Sequence, residues 1–342
     1  MVETKIWTAE ELPDAVKALK RGALVSFPTE TVYGLGADAY NERAVGKVYT
    51  AKGRPSDNPL IVHVADVEQV SDFAQVNEWA KTLMATFWPG PMTMILPVVP
   101  GVLSKTVTGG LDTVAVRLPA NDLTRDLIRQ VGSPLVGPSA NTSGRPSPTL
   151  AKHVYHDLHG KIAGVLDDGP TKIGVESTVI DLSTDMPTVL RPGWITPEAI
   201  EEALGRSVMS QSRVLDPSEA PKAPGMKYRH YAPDKAVYMV GDDEWTQAIV
   251  WAQDQLSPVG LMLPNALIAK HQLAGMDFVW SLGDDARSAA ANLFAGLRYF
   301  DDQKEVQTIL VASMPAQSEN AAYNNRLGKA SGGHFASELW TD

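Results

Sequence analysis

Two cations separated by one glycine stand in Lys52-Gly53-Arg54-Pro55. Ser56, Asp57, Asn58 and Pro59 follow, then the apolar run Leu60–Val64 with His63 inside it. A planar guanidinium fork beside a point-charge ammonium suits a phosphate or carboxylate clamp. The same spacing also serves a solvated basic turn, and His63 alone suits a satisfied core histidine as well as a ligand. Two further arginines end apolar runs, Arg117 in VAVRLP and Arg191 in VLRPG. Each is either an edge residue snorkelling outward or an anion anchor at a sheet rim. Together with Lys52, Arg54 and Arg145 they could make a local positive pocket, which fits a small polyanion better than a polymer.

The stretch Gly137–Thr149 (GPSANTSGRPSPT) gathers hydroxyls around Ser139, with Asn141 and Arg145 among them. Small hydroxyl residues and glycines let backbone amides approach an anion. They equally cap a turn. Pro28–Tyr40 (PTETVYGLGADAY) and Gly174–Leu182 (GVESTVIDL) are also dense in polar residues and glycine. All these segments fall where strands are expected to end, the usual place for ligand loops in α/β proteins.

Several chemistries are disfavoured. Gly34-x-Gly36-x-x-Ala39 is separated from its strand by Pro28–Tyr33, which argues against a dinucleotide fingerprint. There is no Walker loop, and no G-x-S-x-G elbow surrounds Ser139. The absence of cysteine removes disulfides, thiolate metal sites and cysteine nucleophiles together. His153, His156 and His159 in HVYHDLH could share a helix face and bind a metal. Without cysteine and with only loose acidic partners, a surface or partly buried helix is the better reading, and no metal ligand is assigned.

The elements that must position these groups read as a large mixed sheet with interspersed helices. Strands are expected at Ala23–Phe27, Leu60–Val64, Met92–Val98, Thr113–Leu118, Leu135–Gly137, Gly164–Leu166, Ser177–Leu182 and Thr188–Arg191. Helices are expected at Asn41–Ala51, Asn77–Phe87, Asp122–Val131, Thr149–Leu158 and Thr196–Leu204. From about Lys235 a cleaner βαβ series predicts a small parallel sheet flanked by helices. Its strands are Val237–Val240, Gly260–Leu263, Phe278–Leu282 and Thr308–Ala312; its helices are Glu244–Gln255, Ala266–His271, Asp285–Phe300 and Asn320–Lys329. Leu293, Phe294, Leu297 and Phe300 recur at helical spacing and read as core. Between the two parts, Arg213–Pro233 is proline-rich and lacks periodicity. It is either an extended linker or, given Lys227, Tyr228, Arg229, His230 and Tyr231, a segment that docks on something.

The chain has 342 residues, enough for about two domains, with 44% hydrophobic and 20% charged residues, an ordinary globular composition. Its formal charge is −10, and a cut after Arg206 leaves −5 on each part. That balance argues against non-specific grip on nucleic acid or anionic membrane. The first residues lack an apolar core, so no secretory signal is expected there. The longest greasy run, Met92–Leu103, is too short and too proline-rich to span a membrane.

In order and spacing, PTETVYGLGADAY, KGRPSDNPL, FWPGPMT, VAVRLP, PSANTSG, ESTVID, LRPG and PGMKYRHYAP resemble the threonylcarbamoyl-AMP synthase family in its longer two-domain form. The resemblance implies an α/β fold. A large twisted mixed-sheet YrdC-like catalytic domain (1–206) would be joined by a linker or lid (207–234) to a Rossmann-like parallel α/β domain (235–342). It implies a nucleotidyltransferase that makes threonylcarbamoyl-adenylate and pyrophosphate from L-threonine, bicarbonate and ATP with Mg2+. The product would pass to a transferase complex that modifies tRNA beside the anticodon, in the cytoplasm, without membrane contact or stable tRNA binding by this chain. By matching positions, Thr31, His63, Arg117, Ser139 and Ser177 would line the threonine side. Arg54, Asn58, Thr113, Asn141, Thr149, Arg191 and Tyr231 would line the ATP side, and Lys52 and Arg54 would neutralise charge during transfer. The linker, through Tyr228, Arg229, His230 and Tyr231, would close over the site. The alternative is a tRNA- or double-stranded-RNA-binding translation factor without ATP chemistry, which the acidic charge and 7% aromatic content disfavour. A second rival, a hydrogenase-maturation carbamoyltransferase, lacks its cysteine zinc fingers here.

Overall fold

Several helices begin where the sequence supplies an oxygen to cap them. The side chains of Asn41, Asn77, Asn121 and Thr196 each accept the amide three residues on, opening α2, α3, α5 and α7 as defined below. Gly53, Gly132 and Gly205 end three of these helices in the left-handed region, where a Cβ is costly. The computed structural model describes residues 2–210, 221–223 and 230–340. These form two compact units, the first comprising Met1–Ser143, Pro148–Lys172 and Glu176–Tyr228. The second comprises Arg229–Asp342 together with Gly144–Ser147 and Ile173–Val175.

The first unit runs β1 (Lys5–Trp7), α1 (Leu12–Lys20), β2 (Val25–Phe27), β3 (Gly34–Asp38), α2 (Glu42–Lys52), β4 (Ile61–His63) and α3 (Glu78–Phe87). It continues through β5 (Met92–Pro97), α4 (Lys105–Thr108), β6 (Thr113–Arg117), α5 (Asp122–Val131), β7 (Leu135–Val136) and α6 (Ala151–Leu158). It ends with β8 (Gly164–Leu166), β9 (Thr178–Asp181), β10 (Thr188–Arg191), α7 (Pro197–Leu204) and β11 (Met209–Ser210). These make one mixed sheet of order β1-β8-β2-β3-β7-β4-β6-β5-β9-β10-β11. One core lies over the sheet's centre, built from Tyr33, Val48, Val62, Leu83, Met94, Val116 and Ile180 among others. Another packs Leu12, Val16 and Leu19 of α1 against Leu127 and Ile128 of α5.

Five elements of this unit, β1, α1, β3, α4 and β11, depart from the sequence expectation. β1 and α1 were not anticipated, although Leu12, Ala15, Val16 and Leu19 form one buried face of α1. β3 occupies a stretch read as a loop. It pairs antiparallel with β2, and its glycines make that possible: a Cβ on Gly34 or Gly36 would lie 2.8 Å from the Phe27 ring or from Val25 O. The Gly34 and Gly36 pattern therefore records close packing in a strand. Of the expected linker, 211–220 and 224–229, including Lys227, Tyr228 and Arg229, lie outside the described residues.

The second unit carries β12 (Ala236–Val240), α8 (Trp245–Gln253), β13 (Val259–Leu263), α9 (Asn265–Lys270), β14 (Val279–Ser281), α10 (Ala286–Asp302), β15 (Thr308–Ala312) and α11 (Ala321–Ser331). Its four strands are all parallel, in the order β12-β15-β13-β14. Leu293, Phe294, Leu297 and Phe300 of α10 are fully buried, as their spacing predicted. Among the described residues no helix is long and apolar enough to cross a membrane.

Candidate active site

Alternate residues of a strand face opposite sides of its sheet. In the centre of the first unit, that rule separates packing from chemistry. Val62, Met92, Met94, Val116 and Ile180 enter the large apolar core. Their neighbours Ile61, Ile95, Ala115 and Val179 form a small cluster with Leu190 and Ala223 on the other face. His63, Thr93 and Arg117 continue that second face. β4 and β6 are parallel with His63 directly opposite Arg117, and β5 brings Thr93 opposite Val179 of β9. In β10 a bulge sets both Leu190 and Arg191 against Val179 alone. The extra residue re-aims Arg191, whose Nε donates to Ser177 O and whose Nη2 donates to Ser177 Oγ, both at 3.1 Å. Ser177 Oγ and Thr93 Oγ1 share a hydrogen bond of 2.7 Å.

Arg117 is 4% exposed and engaged on three sides. Nη2 lies 2.6 Å from Glu30 Oε1, Nη1 donates to Thr31 Oγ1 at 2.8 Å, and Nε donates to Gly90 O at 3.3 Å. Glu30 Oε2 also accepts the Ala120 amide at 3.1 Å. A buried pair of this kind survives because each charge meets both an opposite charge and further hydrogen bonds. Beside Glu30 opens a polar cavity of about 390 Å³ lined by Thr29, Asn121, Asp168 and Lys172 among others.

His63 is 2% exposed and lies edge-on to the Phe27 ring at 5.3 Å. Gly137 packs against both rings, where a Cβ would stand 2.6 Å from His63 Nδ1 and 2.6 Å from Phe27 Cζ. Burial, aided by the neighbouring Arg117 charge, pushes its pKa down to about 3. The imidazole is therefore neutral at ordinary pH, and Nδ1 has no hydrogen-bond partner among the described residues.

Lys52 ends α2 but is buried. Its ammonium donates to Ser139 O and, at 2.6 Å, to Asn141 O, so it stitches the Gly137–Thr149 loop to the helix. Ser139 itself bridges to Gly34. Arg54 folds over its own loop, donating to Asn58 O at 3.3 Å and Pro59 O at 3.0 Å. The buried Asn58 keeps Oδ1 without a hydrogen-bond partner among the described residues. Asn141 is buried and donates from Nδ2 to Thr142 O. Thr149 is buried against His153 Nδ1. Thr113 opens β6, on the same face as Arg117 but at the opposite end of the strand. Tyr231 belongs to the second unit. There its ring lies 5.2 Å from that of Phe294 and 5.9 Å from the Arg326 guanidinium.

Arg145 lies in the second unit, paired with Asp234 and, at 3.5 Å, with Asp301. The three histidines of α6 and its C-cap diverge: His153 turns to Thr149, His156 pairs with Asp157, and His159 stacks on Tyr155. Sequence reading passed over Glu30, Thr29 and Thr93. The available signal was a carboxylate inside PTET, flanked on both sides by apolar runs.

The comparisons agree with this architecture. The family described as "Telomere recombination" matches residues 17–193, and "Threonylcarbamoyl-AMP synthase, C-terminal domain" matches residues 195–332. Threonylcarbamoyl-AMP synthase of Bacillus subtilis is 48% identical over 94% of this chain and 93% of its own length. That of Pyrococcus abyssi is 44% identical over 92% of each. The crystal structure of P. abyssi Sua5 complexed with L-threonine superposes with a TM-score of 0.88 at 41% identity, covering 98% of both chains. With both units matched in order along nearly the whole chain, this protein belongs to the threonylcarbamoyl-AMP synthase family of enzymes.

Proposed function

We propose that the chain condenses L-threonine, bicarbonate and ATP into threonylcarbamoyl-adenylate, releasing pyrophosphate. The observation that carries the reading is the likeness, over 98% of both chains, to a relative whose structure contains L-threonine. The polar face of the first unit supports it chemically. Threonine carries a carboxylate, an amine and a hydroxyl, which ask for a cation and short hydroxyl partners. Arg117, Thr31, His63, Ser177 and the loop at Ser139 provide those groups on the threonine side. Arg54, Asn58, Thr113, Asn141, Thr149 and Arg191 are proposed for ATP.

The amine adds to CO2 with loss of a proton, or to bicarbonate with loss of water, giving a carbamate whose oxygen attacks the α-phosphorus as the bond to pyrophosphate breaks. Such transfer rests on positioning and charge neutralisation, and no covalent enzyme intermediate is invoked. Lys52 orders the loop that carries Ser139 and Asn141, and Arg54 orders Asn58. A neutral His63 keeps the threonine side from carrying a second positive charge beside Arg117.

Magnesium is proposed as the partner of ATP. The groups gathered here are mainly cations and hydroxyls, and no cluster of three His, Cys, Asp or Glu side chains suited to a metal occurs among the described residues. That donor set does not build a magnesium cage, so the ion would arrive on the phosphates it neutralises. The product would serve the threonylcarbamoyl modification of tRNA in the cytoplasm, handed to a transferase complex.

The test is to mix the purified chain with ATP, magnesium, bicarbonate and one amino acid at a time, with products identified by mass spectrometry. Pyrophosphate and the threonylcarbamoyl adenylate are expected with threonine alone. Turnover with every amino acid, or with none, would remove this reading.

A further inference from the structure

Resting on the synthase reading above, we propose that Glu30 is a positioning residue whose ion pair with Arg117 locks the Thr31 hydroxyl as an acceptor. Thr31 then selects a donor hydrogen, N–H or O–H, on the bound amino acid.

The argument counts protons within the first unit. Thr29 Oγ1 lies 2.6 Å from Val32 O. A carbonyl only accepts, so the Thr29 proton is spent there. The successive amides of Thr31 and Val32 both donate to Thr29 Oγ1 at 3.1 Å, and the Thr31 hydroxyl stands 2.9 Å from it, so three neighbours share the two lone pairs of that oxygen. Two hydroxyl oxygens that close need a proton between them, and only Thr31 still has one to give. Arg117 Nη1 can only donate, and it fills one lone pair of Thr31 Oγ1 over 2.8 Å. What Thr31 retains is a single lone pair. Such a group meets N–H or O–H and turns a carboxylate away.

The lock depends on the direction of Arg117. Its Nε hydrogen bond to Gly90 O is long, at 3.3 Å, whereas Glu30 Oε1 approaches Nη2 to 2.6 Å. Glu30 is in turn held by the Ala120 amide. Glu30 touches the guanidinium and acts through it. It does not need to touch substrate.

The experiment measures L-threonine affinity of the full chain by calorimetry, alongside steady-state pyrophosphate release. Glu30→Gln is expected to weaken threonine binding about tenfold and raise the threonine KM to match. The ATP KM should stay within about twofold. Thr31→Val should lose a similar factor. The double variant should lose clearly less than the two single losses combined, because part of what Glu30 orients through Arg117 is the Thr31 hydroxyl. Additive losses, or unchanged affinity in Glu30→Gln, overturn the inference. Should Glu30→Gln not fold, Thr29→Val and Thr29→Ser replace it. Loss in the valine variant with recovery in the serine variant supports the lock, and equal affinity in both overturns it. L-2-Aminobutyrate, which lacks the hydroxyl, identifies the donor. If preference for threonine over it collapses in Thr31→Val, the donor is the side-chain O–H. If both weaken equally, it is the N–H. Wild-type chain that binds no threonine overturns the synthase reading as well, whereas wild-type binding with unaltered variants overturns this inference alone.

Discussion

The two faces of β4, β5 and β6 are made of the same strands and do opposite work. One face, with Val62, Met94 and Val116, is apolar and merges into the large core. The other begins apolar, with Ile61, Ile95 and Ala115, and ends in His63, Thr93 and Arg117. The polar end is as buried as the apolar one, since Arg117 is 4% and Val116 0% exposed. Burial therefore does not mark the site. What marks it is how its buried polar groups are engaged: Thr93, Arg117, Ser177 and Arg191 are bonded to specific partners, while His63 Nδ1 has none among the described residues. The core face also sets the register: a slip of one residue would drive His63 and Arg117 into the core. β10 departs from strict alternation through its bulge, and so delivers Arg191 to the polar face.

Four substitutions sharpen or break this contrast, given from the largest expected effect to the smallest. Arg117→Ala strands the buried Glu30 carboxylate, and should cost about 3–5 kcal/mol in chemical denaturation. It should also abolish threonine-dependent turnover. A variant as stable as wild type would mean the polar face contributes no structure. Met94→Ala, one strand away on the core face, should cost about 2–5 kcal/mol. Its effect differs in kind, since the KM for threonine and for ATP should hold once the protein is folded.

His63 gives a pH signature. Its unfolded pKa is near 6.5 and its folded value is lowered to about 3. The unfolded chain thus binds the extra proton between those values. The contribution to stability is complete above pH 6.5 and is lost as pH falls toward 3, at no more than about 1.4 kcal/mol per pH unit. His63→Asn should flatten that part of the acid limb, seen as a smaller difference in urea midpoint between pH 7 and pH 4. An unchanged limb would show that the imidazole protonates freely in the folded chain. The smallest effect belongs to Lys222, which pairs with Asp181 at 2.9 Å but is 42% exposed. Solvent screening keeps Lys222→Ala within about 1 kcal/mol, and turnover should not change. A larger loss of turnover would extend the polar face beyond β9.

The strands with strong β-formers were readable, because Ile61–His63, Met92–Pro97 and Thr113–Arg117 announce themselves by composition. β3 was not. Gly34, Ala37 and Asp38 carry little strand preference, and the Phe27 ring and Val25 O across the sheet explain the glycines. Arg117 and Arg191 were visible as cations at strand ends, but the carboxylate that holds Arg117 was not singled out. Glu30 sits 87 residues away in sequence, and nothing local says the two meet. The partners of Arg145, Asp234 and Asp301, likewise come from distant segments.

By itself the sequence determined the alternation of apolar and polar residues, the capped helices, and the ordered set of motifs that carries the family. Those are local properties, written in period, propensity and spacing. Tertiary structure alone decided which buried charges meet and which hydroxyl gives its proton to which. It also decided that a bulge would aim Arg191. Such pairings depend on register and long-range approach, and short-range pattern contains neither.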